Sequence, residues 1–207
     1  MAPTLKLFIV RHAETAWTAE RRFSGQRDVP LAPRSAVQAE AVAQALAGQK
    51  VAAIYSSPLE RARTTAEIVA KPHRLQVQVD AELREMGFGR WEGRTRDEVA
   101  ASDPEAWAVW RETPHALTAH GGETLPDVAA RVSAFVDGIR QRHGDDTVVL
   151  VTHAIVVRLI ILAALGLGPD RLWSVDASPA GVSEVDLGPE WTTVHRMNTL
   201  AHLEPRA

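Results

Sequence analysis

Apolar positions follow two alternating rhythms along the chain. Residues 5–10, "VAAIY" at 51–55 and "TVVLV" at 147–151 are short, nearly unbroken apolar runs. Such runs suit strands buried on both faces of a parallel sheet. "QVQV" at 76–79 alternates, as a half-exposed strand does. Between these runs the period lengthens. Val37, Ala41, Val42, Ala45 and Leu46 recur at helical spacing within 34–47, with Pro33 fitting the first turn. "SSPLERARTTAEIVA" predicts a second helix, with Ser57 at the N-cap and Pro58 at the first helical position. Leu125, Val128, Val132, Phe135, Val136 and Ile139 make one face of a third. Thr124 and Asp127 fit its capping pattern, and Gly144 fits its stop. "HAIVVRLIILAALGLG" predicts a very apolar, central helix, and 181–187 with 191–196 predict a closing hairpin or edge strands. Strand–helix alternation implies an α/β fold: a three-layer sandwich around a mostly parallel sheet.

One stretch breaks the pattern. Residues 84–122 hold Gly87, Gly89, Gly93, Pro104, Pro114, Gly121 and Gly122, with short helical pieces near 95–101 and 103–111. It reads as an excursion from the scaffold, where functional loops usually sit. There are no repeats and no low-complexity linker, so a single domain over 1–207 is expected.

Composition narrows the classes. A net charge of -3 gives no support for nucleic acid or an anionic membrane as partner, though it leaves room for a local basic pocket. The absence of cysteine removes disulfides, thiolate nucleophiles and Cys-ligated metals together. Eight histidines are present, but no H-E-x-x-H or D-x-D pattern, so no metal site is expected. The first apolar run stops at Arg11, too short for a signal segment. The longest, "IVVRLIILAALGL", contains Arg158 and is too short to span a membrane. A soluble cytoplasmic protein is expected.

In open α/β sheets, ligands bind at the carboxyl ends of the strands. Three predicted strands end there in polar groups. The first ends at Arg11-His12. The second runs into "SSPLER", which puts Arg61 near the first turn of the next helix. The strand at 147–151 ends at Thr152-His153. Parallel strands bring these ends to one edge. Each residue alone has a plainer reading: a histidine as a cap, Arg11 as an edge ion pair, Arg61 as a solvated helix residue. Together, with several helix N-termini, they point to a phosphate pocket, because free N–H groups and arginine forks both match an anion.

These residues resemble a known group. "RHAETAW" resembles the R-H-G-E/Q-T/S motif of the histidine phosphatase superfamily, the branch of cofactor-dependent phosphoglycerate mutase and many small phosphatases. "RRFSGQRDVPLAPRSAVQA", "IYSSPLERARTTAEI", "LREMGFGRWEG", "GGET", "VTHAIVVR" and "NTLAHL" resemble further segments in the family's order. The resemblance implies a phosphoglycerate mutase-like fold, no cofactor and a small phosphorylated metabolite as partner. It also implies roles. His12 would be the nucleophile that carries a phosphohistidine. Arg11, Arg61 and His153 would hold the phosphoryl oxygens. Glu85 would be the acid and then the base, with its pKa raised. Thr18, Ser24, the Gly25 backbone and Ala154 would line the phosphate side. Glu85 stands apart from Glu82 and Glu92 by motif register alone.

The chain departs from the family pattern in places. Ala13 and Ala154 stand where glycine is usual, which costs strain if either needs a positive φ. Thr18 replaces an asparagine with a shorter donor. Ala32 and Ser35 stand where Ser/Thr and Gly are common, so the helix cap there should be weaker by about 1 kcal/mol. Glu123 of "GGET" is expected to serve helix entry, and Trp91, Trp107 and Trp110 packing more than substrate. Two other functions use the same residues: a mutase, which returns the phosphoryl group, and a binding module. Mutases tend to have more chain between the acid glutamate and the second histidine, and a binding module needs no nucleophile. The physiological substrate and the oligomeric state stay open.

Overall fold

The computed structural model of the chain describes residues 3–118 and 121–204. Residues 119–120 of the expected excursion, and 1–2 and 205–207 of the expected domain, lie outside the described residues. The strands are β1 (Leu5–Arg11), β2 (Val51–Ser56), β3 (Val77–Val79), β4 (Thr147–Thr152), β5 (Val182–Leu187) and β6 (Thr192–Thr199). The α-helices are α1 (Ala16–Ala19), α2 (Ser35–Leu46), α3 (Glu60–Ala70), α4 (Arg96–Ser102), α5 (Pro104–Glu112), α6 (Leu125–His143) and α7 (Ala154–Ala164).

The strands form one sheet in the order β3-β2-β4-β1-β5-β6. β3, β2, β4 and β1 run parallel; β5 lies antiparallel to β1, and β6 antiparallel to β5. The two last strands are therefore a hairpin, of which only β6 lies at an edge, the other edge of the sheet being β3. Side chains alternate between two cores. Leu5, Leu7 and Ile9 pack with α6, α7 and the excursion, whereas Phe8 and Val10 pack with α2 and α3. Both faces of β1 are covered, which explains its unbroken apolar run.

Register sets the site. Arg11 pairs with Thr152, and Ser56 with Val151, so β1, β2 and β4 end level. Three expectations change. The helix after β2 begins at Glu60, with extended Leu59 as N-cap, and not at Ser57-Pro58. In α2 the buried face is Ser35, Ala39, Val42, Ala43 and Leu46, while Val37 points to solvent. The N-cap of α2 is Arg34 and not Ala32, so Pro33 lies before the helix and not in its first turn, and Arg34 makes no side-chain capping bond.

Candidate active site

β1 delivers Arg11 and His12 to the level strand ends. The His12 N–H donates to Thr152 O at 2.9 Å, and the Ala13 N–H to Thr65 Oγ1 at 3.1 Å, so the chain leaves the strand held on both sides. His12 Nδ1 lies 2.7 Å from Ala13 O. A carbonyl only accepts, so Nδ1 carries the proton and Nε2 keeps its lone pair. Arg61 Nε donates to that Nε2 at 3.3 Å. Burial, then the charges of Arg61 and Arg11, push the His12 pKa well below the usual imidazole value.

Arg61 is fully buried, and its other nitrogens are fixed on Arg27 O at 2.8 Å and Gly25 O at 2.7 Å. The turn that offers Gly25 O needs glycine, because φ is +50° and a Cβ would stand 1.9 Å from Glu92 Oε1. Arg11 reaches Ala177 O at 2.7 Å, and burial lowers its pKa to about 10. His153 lies wholly buried beneath His12, with ring centroids 5.1 Å apart. Its Nε2 is 2.8 Å from Ser57 Oγ. Burial is the first cause of its lowered pKa and Arg61 the next.

Glu85 is nearly buried and lies at the start of α7. Its carboxylate accepts from Met86 N at 2.9 Å and from Ile155 N at 3.3 Å. Burial raises its pKa; the Met86 N–H, Arg61 and Arg11 oppose that rise. Its rivals are accounted for. Glu82 is exposed, and Glu92 accepts from Gln26 N and Phe88 N. Glu123 accepts from Gly87 N at 2.9 Å and from Gln26 and Arg131, away from the cleft.

A cleft of about 760 Å³ opens over this group. Arg11, His12, Ser24, Gly25, Arg61, Glu85 and Ala154 line it, and His153 lies below the lining. Three buried polar atoms here have no hydrogen-bond partner among the described residues: Arg11 Nε, Ser24 Oγ and His153 Nδ1. Unpaired buried polar atoms are costly and rare. With the buried Arg11 and Arg61 at the same cleft, these atoms have the chemistry to hold an anion.

The model for branch 1 of the histidine phosphatase superfamily matches residues 7–200. The chain belongs to this superfamily. It is 35% identical over 199 residues to phosphoserine phosphatase 1 of Hydrogenobacter thermophilus, covering 96% of this chain and 94% of that one. It is 28% identical to the adenosylcobalamin/alpha-ribazole phosphatase of Escherichia coli, covering 95% and 97%. The solved structure of Bacillus stearothermophilus YhfR superposes with a TM-score of 0.91 at 33% identity, covering 97% of this chain and all of that one. The protein is thus a histidine phosphatase by descent and fold, with small phosphatases as relatives.

Against the family pattern, Ala13 and Ala154 are free of the strain considered above, since neither has a positive φ. Thr18 lines the cleft, but its hydroxyl accepts from Thr15 N at 2.9 Å and donates to Thr15 O at 2.8 Å. Capping α1 thus consumes the hydrogen that a phosphate would need. Ser57 is the residue that sequence reasoning misplaced. It supports His153, and its position at a strand end on the same edge was the available signal. Trp91 is core, as expected, but Trp107 and Trp110 also form cleft wall, joined by Trp173.

Proposed function

We propose that this histidine phosphatase is a phosphomonoesterase that hydrolyses a small phosphate ester through a phosphohistidine on His12, without a cofactor or metal. The observation that carries this is the unprotonated His12 Nε2 in a cleft that also holds the unpaired buried atoms of Arg11 and Ser24, with the unpaired His153 ring 5.1 Å from the His12 ring. In the first step Nε2 attacks phosphorus, the ester P–O bond breaks, and Glu85 gives its proton to the leaving oxygen. In the second, the Glu85 carboxylate takes a proton from water, whose oxygen attacks phosphorus and breaks the P–N bond. Free phosphate leaves, and Nε2 recovers its lone pair. Arg11, Arg61 and His153 hold the equatorial oxygens. Phosphoryl transfer needs mainly such positioning and charge. Burial supports the role of Glu85, because a raised pKa keeps the acid form available nearer neutrality.

The expected place of action is the cytoplasm, where small phosphorylated metabolites are made and used, and the whole chain acts as one catalytic domain. Among the described residues no helix is long and apolar enough to cross a membrane.

The test is hydrolysis of an aryl phosphate in excess chelator, followed by acid- and base-quenched trapping. Wild type should stay active and form an acid-labile, base-stable phosphoenzyme. His12→Ala should do neither. Full activity in His12→Ala, or loss of wild-type activity on chelation, would sink the mechanism.

A further inference from the structure

The cleft is more basic than one phosphoryl group requires. The chain carries a net charge of -3, yet among the described residues seven arginines line the cleft against three carboxylates. Arg11 and Arg61 serve the reacting phosphate. Arg22 is paired with Glu20 and Glu98. Four remain: exposed Arg21 on the turn after α1, and Arg96, Arg111 and Arg158, each from a different helix, at the start of α4, the end of α5 and the second turn of α7.

Arg158 is fixed. Its Nε donates to Val175 O at 2.8 Å, its Nη2 to Asp176 Oδ1 at 3.3 Å, and its guanidinium lies 5.1 Å from the Trp173 ring centroid. Its Nη1 has no partner among the described residues. Arg96 and Arg111 have no acidic partner among the described residues either. Arg158 shares the cleft with Glu85 and with Arg96, and feels the charge of both. Like charges lining one cleft are unfavourable until an anion lies near them.

A row of edge-on rings in the cleft wall leads to Arg158. It runs from Phe23, next to Ser24, through Phe88 and Trp110 to Trp173, with centroid separations of 4.8, 5.4 and 5.1 Å. Such a wall takes the apolar body of a ligand, and the arginine at its end takes a charge.

We propose that the substrate carries a second anionic group, remote from the phosphate that His12 attacks, and that Arg96, Arg111 and Arg158 hold it. The reading rests on the proposed phosphatase activity for the direction of the substrate. A carboxylate and a second phosphate share the required chemistry.

Three probes separate these cases: para-carboxyphenyl, para-phosphonophenyl and para-carbamoylphenyl phosphate. The last is the neutral analogue of the first. Wild type should favour the anionic probes in kcat/KM, mainly through KM. In the double variant Arg96→Gln/Arg111→Gln, the ratio of anionic to neutral probe should fall on the order of tenfold per arginine, the scale of one charge-assisted hydrogen bond. A stronger response of the carboxylate probe marks a carboxylic acid substrate. A stronger response of the phosphonate probe marks a doubly phosphorylated one. Calorimetric binding of the matching non-hydrolysable methylenephosphonates reads the same preference without turnover. If wild type binds the anionic analogues more tightly but hydrolyses none of the probes, the subsite stands and the phosphatase reading falls. If all probes are hydrolysed and the ratio is the same in wild type and the double variant, the second-anion site is overturned.

Discussion

His12 and His153 keep neutral rings in a place where burial and Arg61 both work against a proton. The consequence for stability has a definite sign. The unfolded chain takes up protons at these histidines as pH falls through 6.5, and the folded chain does not. The unfolded state then binds more protons, so stability falls with pH, by up to about 1.4 kcal/mol per pH unit for each group. Glu85 runs the other way: its folded pKa is raised, so its contribution is lost as pH rises from 4.5 through the folded value. Urea unfolding from pH 6.5 down to about 5 should show a steep loss for wild type and a shallower one for His12→Asn. Equal slopes would refute the assignment. Ala13, although it alters the motif, is a conservative change here. Its φ is ordinary and its methyl group is fully buried.

At the scale of elements, the approach of the 84–122 excursion to α6 decides where Glu85 stands. The Glu85 carbonyl accepts from Gln26 Nε2 at 3.2 Å and from Arg131 Nη2 at 3.3 Å. Arg131 also binds Glu82 O, and its Nε donates to Glu123 Oε1 at 2.8 Å. Glu123 in turn accepts from Gly87 N. Gly122 permits this approach, since a Cβ there would stand 2.0 Å from Gly87 O. Arg131 is thus a positioning residue for Glu85. Arg131→Ala should lower kcat for an aryl phosphate by about tenfold to a hundredfold, the cost of a small misplacement, with KM little changed. Arg131→Lys should recover part of it, because an ammonium cannot reach all three acceptors in one plane. Unchanged kcat in Arg131→Ala would remove this role. The helices α4 and α5 came out of the sequence close to their observed bounds. Their purpose as cleft wall did not, because a tryptophan's packing and lining faces look alike in a pattern of apolar positions. The buried face of α2 was misread for a related reason. An Ala- and Val-rich helix offers several nearly equal apolar stripes, and only its neighbours choose among them.

Over the whole molecule, the closing hairpin supports the site from beside β1. Asn198, at the end of β6, adopts φ +48°, and its Oδ1 accepts from Ser178 N at 2.7 Å. Its Nδ2 donates to Asp176 Oδ2 at 3.0 Å, the carboxylate that holds Arg158. The same segment gives Arg11 its carbonyl partners at Ala177 and Gly181. Asn198→Ala leaves the Ser178 N–H unpaired and keeps the left-handed backbone without its asparagine, a loss of about 2 kcal/mol. The Tm should fall by about 4–8 °C. KM for a phosphate ester should rise with it as the seat of Arg11 loosens, and an unchanged KM would confine Asn198 to stability. By itself, the sequence determined the strands, most helices, the gathering of basic side chains at the strand ends and, through motif order, the meeting of His12, Glu85 and His153 in one place. Those features are local in the chain, written in period and in short spacings. Tertiary structure alone decided that Ser57 serves His153, that Thr18 spends its hydroxyl on a cap, and that three arginines from separate helices face one cleft. Such relations depend on which distant elements come to lie side by side, and no spacing along the chain records that.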